Sequence, residues 1–312
     1  MSIMILVSII IFIILSYFFY IFSKYFLLSE LDLIERYGKD TWVLITGASS
    51  GQGKRYAIEF AKRGFNILLS GSKNIELVSK KIEEKYSVKT RCINVDFNDA
   101  YKDDFFNVFT EVIDSLPGEL SILVNNIGHR TAWEPYHEMP TSVIRDTIVC
   151  GTIVQANLTK IAIQKFIKRS KRSAIINVTA KCVYPNFWNF AESSISVPYL
   201  SVYEASNAFG FFHSNSIQKE YGDQFDILNI TPGAVTTENT PFLKNIPFQI
   251  NSKQYVKNVL ILLGNVQGPT CAHWGHELID IGYNICSKEY IDSLLNKIGK
   301  SITQYTKKNT SV

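Results

Sequence analysis

A short apolar run that leads straight into a glycine-rich turn is the feature that most restricts the fold of this chain. Trp42–Ile45 is followed by Thr46-Gly47-Ala48-Ser49-Ser50-Gly51-Gln52-Gly53, and a helical pattern begins at Lys54. Glycine permits a tight turn and lets the backbone approach a phosphate closely, while the amide dipole of the next helix favours negative charge. The pattern therefore predicts a strand–turn–helix unit that binds a nucleotide phosphate.

The chain repeats this alternation of short apolar runs and helical patterns. The predicted strands are Trp42–Thr46, Asn66–Leu69, Arg91–Val95, Ser121–Asn125, Ala174–Val178 and Phe225–Ile230. The predicted helices are Lys54–Arg63, Ile75–Tyr86, Lys102–Ser115, Ser142–Arg169 and Tyr203–Tyr221. Unpatterned apolar strands between helices are typical of a parallel sheet covered on both faces. We therefore expect an α/β fold, with one Rossmann-type doubly wound domain over residues 41–290 and a C-terminal helix and polar tail over 291–312.

A segment without charge precedes this domain. Ile3–Phe22 would span about 30 Å as a helix, which is the hydrocarbon thickness of a bilayer. The basic start and small cleavage-site residues of a secretory signal peptide are not evident, which favours an uncleaved anchor over a signal peptide or a buried helix. Lys24, Arg36 and Lys39 follow the segment, and basic residues tend to stay on the cytosolic side. We predict a single-pass transmembrane anchor over 1–28, a juxtamembrane connector over 29–40 and a cytosolic main domain.

Charge and cysteine usage restrict the partners. The chain has 312 residues and a net charge of +4 without a long basic run, so nucleic-acid binding is not expected. The five cysteines are scattered and form neither a CxxC pair nor a zinc-type spacing. Dispersed thiols in odd number fit a reducing compartment, and we expect no metal site.

Further residues extend the nucleotide-binding pattern along the domain. Asp96 follows the third predicted strand, Asn125-Asn126-Ile127-Gly128 follows the fourth, and Tyr203 and Pro232-Gly233 come later. In these positions the chain resembles the short-chain dehydrogenase/reductase family over roughly residues 40–285. Within that family, and with its N-terminal anchor, it resembles membrane-anchored very-long-chain 3-oxoacyl-CoA reductases and their 17β-hydroxysteroid dehydrogenase relatives. The resemblance implies residence in the endoplasmic reticulum membrane and reduction of a 3-keto group with NADPH.

The resemblance also implies a set of dinucleotide-binding residues. They are Gly47, Ser49, Ser50, Gly51, Gly53, Ser72, Lys73, Asp96, Phe97, Asn125, Gly128, Tyr203, Pro232, Gly233 and Thr236. An NAD site usually has an acid after the second strand to hold the ribose hydroxyls, and this chain has none there. Lys73, with Lys54 or Arg55, is expected to neutralise a 2′-phosphate, which favours NADP(H) over NAD.

The catalytic half of the family pattern is not kept. Tyr203 stands at the proton-donor position, but the lysine position holds Asn207, the serine position holds Ala180, and the asparagine position falls at Gly151 or Thr152. A tyrosine ordinarily has a pKa of about 10, and an adjacent lysine favours its phenolate. An amide has no charge with which to do this. Loss of one oxyanion donor costs about 10²- to 10³-fold in rate, and weakened acid catalysis costs about 10²- to 10⁴-fold.

These substitutions leave two main functional classes open. The first is a nucleotide-binding pseudoenzyme that regulates or scaffolds a membrane lipid complex. The second is an active NADPH-dependent oxidoreductase of a lipid ketone or acyl-CoA that uses Tyr203 with substitute partners. Candidate substitutes are Thr179, Lys181, Ser193, Ser194 and Ser196. A structural partner that binds no nucleotide is a third, weaker option.

Two further segments bear on the cleft and on assembly. The stretch between Ala180 and Tyr203 is longer than the family normally has, and it is a candidate cover for the cleft. We expect Thr236–Ile250 to form a substrate lid. Phe209, Phe211 and Phe212 are candidates for a homodimer face, although core packing would explain them equally well.

Overall fold

The sheet in the computed structural model has the predicted parallel, doubly wound arrangement. The structure describes residues 3–72, 74–128, 133–181, 197–238, 240 and 246–310. The strands in these residues are β1 Trp42–Thr46, β2 Asn66–Gly71, β3 Thr90–Asn94, β4 Leu120–Asn125, β5 Ser173–Val178, β6 Phe225–Ile230, β7 Val235–Thr236, β8 Ile250–Asn251 and β9 Gly268–Thr270. Seven of them form the main sheet in the order β3-β2-β1-β4-β5-β6-β9, and every pairing in it is parallel. The α/β fold predicted from the sequence is confirmed.

Helices cover both faces of this sheet. They are α1 Ile3–Phe22, α2 Leu33–Tyr37, α3 Gly51–Lys62, α4 Ile75–Tyr86, α5 Asn107–Asp114, α6 Thr141–Ile148, α7 Val154–Phe166, α8 Ser201–Tyr221, α9 Ser252–Leu262, α10 Trp274–Ile285 and α11 Lys288–Thr310. Strand β1 shows why its sequence is apolar throughout. Val43 and Ile45 pack into the core under α3, α4 and α9, whereas Trp42 and Leu44 pack into the core under α5 and α7.

The helix predicted over Ser142–Arg169 is not continuous. A π-helical turn, Val149–Ile153, separates α6 from α7, and α7 ends at Phe166. Gly151 lies in this turn, where a Cβ atom would come within 2.8 Å of the Ser206 side chain on α8. The close passage of two helices therefore accompanies the break, and π turns of this kind occur frequently at functional sites.

The N-terminal helix is joined to the domain by a short segment that packs on the sheet. Met4–Leu27 is a helical stretch of 24 residues that is long and apolar enough to cross a membrane. Short helix α2 follows it and packs on the sheet, where the Tyr37 hydroxyl donates to Asp226 Oδ2 at 2.8 Å and Arg36 Nε donates to the same oxygen at 2.6 Å. Segment 29–40 is thus bound to the start of β6.

Candidate active site

The residues singled out in the sequence meet at the carboxyl ends of the parallel strands. Two adjoining cavities of about 210 and 290 Å³ lie there, and together we call them the cleft. The cleft opens beside β1 and β4, where the strand order reverses, which is where ligands bind in open α/β sheets. The residues that line both cavities are Gln52, Asn126, Ile127, Gly128, Tyr203, Val235 and Thr240.

The turn after β1 needs its glycines. Gly47 and Gly51 have φ angles of +66° and +54°, which favour glycine. A Cβ atom on Gly53 would lie 2.1 Å from the Gly47 carbonyl oxygen. Ser49 and Ser50 line the larger cavity beside them, and α3 begins at Gly51. This turn therefore places a helix N-terminus and a closely approaching backbone at the cleft, as a phosphate-bearing ligand requires.

Two adjacent asparagines at the end of β4 have different surroundings. Asn126 faces the cleft, and its Nδ2 donates to the Thr46 carbonyl oxygen at 3.0 Å. Asn125 is buried, and its Nδ2 donates to Thr159 Oγ1 at 3.0 Å and to Asn177 Oδ1 at 2.8 Å. Of the predicted cofactor residues here, Gly128 borders the cleft, while the Asn125 side chain braces β4 against α7 and β5.

Three further predicted dinucleotide-binding residues, Ser72, Asp96 and Phe97, follow β2 and β3. Asp96 is exposed and accepts a hydrogen bond from the backbone N–H of Asn98 at 3.0 Å. Phe97 is buried, with its ring centroid 6.1 Å from that of Phe109. Ser72 is exposed just after β2, and Lys73 lies outside the described residues.

The loop after β6 closes the other side of the cleft. Pro232 and Gly233 line the smaller cavity, and the Gly233 backbone N–H donates to Nδ1 of His276 at 3.2 Å. Burial and the charges of neighbouring groups lower the pKa of His276 to about 3, which keeps the ring neutral. Thr236 donates through Oγ1 to the Ile250 carbonyl oxygen at 3.2 Å, joining β7 to β8.

The four positions that the sequence predicts to be catalytic come together in the smaller cavity. Gly151, Ala180, Tyr203 and Asn207 all line it. Asn207 Nδ2 donates to the Tyr203 carbonyl oxygen one turn earlier on α8, at 2.8 Å. Thr152, the alternative asparagine position, instead donates through Oγ1 to the Ile148 carbonyl oxygen at 2.7 Å. Among the described residues, no charged side chain lines either cavity of the cleft.

Of the substitutes considered from the sequence, the structure describes Thr179 and Lys181. Thr179 borders the cavity, but its Oγ1 donates to Asn229 Oδ1 at 3.2 Å and to the Ile230 carbonyl oxygen at 3.1 Å. Lys181 directs its ammonium to Cys271 Sγ at 2.8 Å. Ser193, Ser194 and Ser196 lie outside the described residues, with the rest of 182–196.

Sequence reasoning missed two polar residues of the smaller cavity. Gln155 is buried, and its Nε2 donates to the Gly210 carbonyl oxygen at 3.2 Å and lies 3.3 Å from His213 Nδ1. Ser206 Oγ donates to the Tyr203 carbonyl oxygen at 2.8 Å. Both follow from helix geometry, since Gln155 lies one turn after Gly151 and Ser206 lies one turn after Tyr203.

Comparison with known proteins gives a consistent result. Residues 41–245 match the family model for short chain dehydrogenases. The human very-long-chain 3-oxoacyl-CoA reductase is 29% identical over 279 residues, covering 87% of this chain and 84% of that protein. The human 17-beta-hydroxysteroid dehydrogenase type 3 is 30% identical over 243 residues, covering 76% and 73%. A Sphingobium yanoikuyae short-chain dehydrogenase solved in complex with NADPH shares the fold, with a TM-score of 0.62, 21% identity and coverage of 74% and 87%.

Proposed function

Because this chain belongs to the short-chain dehydrogenase family, we propose that it is a membrane-anchored NADP(H)-binding protein whose own reductase activity is weak or lost. Its role would then be to regulate or scaffold a membrane lipid complex. The alternative is an active NADPH-dependent lipid ketone oxidoreductase that uses Tyr203 with other partner residues. The two proposals share the cofactor and differ in the chemistry of the smaller cavity.

The glycine turn supports the cofactor part of the proposal. Gly47, Gly51 and Gly53 allow the backbone approach that a pyrophosphate needs, and α3 begins beside them. Lys54 and Arg55 lie in the first turns of α3, and β2 ends without an acid at Gly71-Ser72, which supports NADP(H) over NAD. When bound, the reduced cofactor supplies the hydride for ketone reduction.

The surroundings of Tyr203 carry the proposal of weak or lost activity. No cationic side chain lines the smaller cavity among the described residues, and Ala180 offers no hydroxyl at the serine position. The Asn207 amide is hydrogen-bonded to the backbone of its own helix. A lysine one turn after the tyrosine would favour its phenolate, and the Asn207 amide carries no charge with which to do this. Weakened acid catalysis of this kind costs about 10²- to 10⁴-fold in rate.

The substrate class and location follow from the relatives and the anchor. The similar proteins named above act, by their names, on 3-oxoacyl-CoA or on hydroxysteroids, so we propose a lipid-like ketone or acyl-CoA as the ligand of the smaller cavity. We further propose a single-pass location in the endoplasmic reticulum membrane with the domain in the cytosol. Phe209 and Phe212 are 39% and 63% exposed on α8, which is compatible with a homodimer face, whereas Phe211 is buried.

One observation favours the alternative. Ser206 and Gln155 bring a hydroxyl and an amide into the cavity that holds Tyr203. In an active enzyme, Ser206 would have to release the Tyr203 carbonyl oxygen and donate to the substrate oxygen instead.

The experiment is an NADPH oxidation assay on the full chain with 3-oxoacyl-CoA and steroid ketones. We expect NADPH to raise the unfolding temperature, because it binds the folded state, without measurable turnover. The double variant Asn207→Lys and Ala180→Ser should gain turnover, and adding Tyr203→Phe should remove it again. Wild-type turnover that collapses in Tyr203→Phe would establish the active alternative. Failure of NADPH to stabilise the protein would reject nucleotide binding.

A further inference from the structure

The end of the N-terminal helix is held by a buried ion pair. Lys24 is only 5% exposed, and its Nζ lies 2.7 Å from Glu277 Oε1 in the first turn of α10. The Tyr25 hydroxyl donates to the same oxygen at 2.7 Å, and Ile21 is buried one turn before. The first turn of α10 therefore has a fixed position relative to the last apolar turns of the anchor.

Two aromatic side chains lie on the outer side of that same turn. Trp274 and Phe248 are 37% and 41% exposed, and their ring centroids are 5.4 Å apart at an interplanar angle of 72°. Phe248 has a φ angle of +58°, which is unfavourable for an aromatic residue. Its ring lies over Gly275, where a Cβ atom would come within 2.6 Å. The packing on α10 thus keeps an exposed aromatic ring in a strained backbone conformation.

The height of this pair relative to a membrane follows from helix geometry. The apolar residues Ile3–Phe22 fill about 30 Å as a helix, so Lys24 and Tyr25 lie in the interfacial region just outside the hydrocarbon. Trp274 is three residues before Glu277, or about 4.5 Å along the axis of α10. Whatever the direction of α10, this rise shifts Trp274 from the depth of Glu277 by about 4.5 Å at most, which is less than the depth of an interfacial layer of about 5–7 Å.

We propose that Phe248 and Trp274 form a second membrane contact, which rests in the bilayer interface beside the anchor. This inference depends on the proposed membrane location. Aromatic side chains prefer the interface, where an apolar ring and a polar edge are both accommodated. The two rings contact the same bilayer that holds α1, because the Lys24–Glu277 ion pair joins α10 to the end of the anchor.

The contact would bring one wall of the cleft near the membrane surface. Ile250, two residues after Phe248, pairs with Val235, and Val235 lines both cavities. The Ile250 backbone N–H also donates to the Ala234 carbonyl oxygen at 3.1 Å. A lipid-like ligand could then pass between the bilayer and the cleft along segment 246–250 without crossing bulk water.

Tryptophan quenching in vesicles tests this inference on the full chain. Of the four tryptophans, Trp42 is buried in the sheet core, so Trp133→Phe with Trp188→Phe leaves Trp274 as the one that can report on lipid. The protein is reconstituted into phosphatidylcholine vesicles brominated either near the headgroup or near the end of the acyl chain. Flotation with the vesicles is measured first.

We expect headgroup-side bromines to quench the emission more than deep bromines do. Adding Trp274→Phe to this background should remove most of that quenching, and Phe248→Ser should weaken it. Flotation without any Trp274-dependent quenching would overturn the second contact while leaving the anchor in place. Trp274 shielded from lipid by a second copy of the chain would give this same result. Failure to float would overturn the proposed membrane location itself.

Discussion

Replacing Lys24 by methionine should show how much the contact between the anchor and the domain contributes to the free energy of unfolding. Lys24 and Glu277 are both less than one-tenth exposed, and Glu277 Oε1 accepts from both the ammonium and the Tyr25 hydroxyl. Burial by itself would raise the pKa of Glu277, but the Lys24 charge and the hydrogen bonds outweigh it and lower that pKa. Lys24→Met therefore leaves a carboxylate in a site that no longer compensates its charge.

The expected loss is large because the pair is buried. Removing one partner of a buried ion pair costs about 3–5 kcal/mol in the free energy of unfolding. For a domain of this size, 1 kcal/mol corresponds to about 2 °C in unfolding temperature, so we expect a decrease of about 6–10 °C. The decrease should be smaller at pH 5 than at pH 8, because Glu277 without its partner takes up a proton in the folded state at low pH.

The assay is thermal unfolding of the full chain in detergent, with two further variants. Lys24→Met combined with Glu277→Gln should recover most of the lost stability, since it removes the charge and keeps an acceptor for Tyr25. Lys102→Met breaks an exposed ion pair with Asp99 and should leave the unfolding temperature nearly unchanged. A decrease in Lys24→Met no larger than in Lys102→Met, or a double variant no more stable than Lys24→Met, would refute the coupling.

Two other predictions concern the glycine turn and pH. Gly53→Ala should abolish the NADPH-dependent rise in unfolding temperature, because the added Cβ atom would meet the Gly47 carbonyl oxygen. The control is Gly282→Ala, which has open space for the added Cβ atom and should fold at least as well as wild type. Glu204 accepts the Val197 backbone N–H at 2.6 Å, and burial raises the pKa of its carboxyl to about 7. The folded state then holds a proton that the unfolded state has released, so stability that is fully present below the unfolded pKa of 4.5 is lost as the pH rises through about 7. In thermal unfolding, the free energy of unfolding of Glu204→Gln should exceed that of wild type by roughly 1 kcal/mol at pH 8, after discounting for solvent screening, and the two should match near pH 4. Equal free energies of unfolding for the variant and wild type at pH 8 would contradict this.

The fold could be predicted from the sequence where both faces of an element are buried. Strands β1 and β6 begin and end at the predicted residues, because apolar side chains on both sides of a central strand produce an uninterrupted run. Strand β9 was not predicted, since Gly268-Pro269-Thr270 contains no such run. Its place in the sheet depends on pairing with β6, which the local sequence does not encode.

The candidate site was predictable as a set of positions but not as a set of side-chain directions. Successive side chains of a strand point to opposite faces, so one of Asn125 and Asn126 had to face away from the cleft, and the sequence alone does not fix which. The Lys24–Glu277 pair joins residues 253 positions apart, and no local sequence pattern indicates it. Contacts of this kind arise only when the whole domain has folded.

The structure also indicates that the residue at position 151 depends on the residues that face it on α8. The helix containing Gly151 passes so close to α8 that a Cβ atom there would lie 2.8 Å from Ser206, and a Cβ atom on Gly210 would lie 2.7 Å from Gln155 Oε1. An asparagine at 151 would therefore require a smaller residue at 206. In this arrangement, Ser206 occupies the space that a longer side chain at 151 would fill. Turnover gained from Asn207→Lys and Ala180→Ser, with Gly151 unchanged, would then show that no side chain at 151 is required for proton transfer.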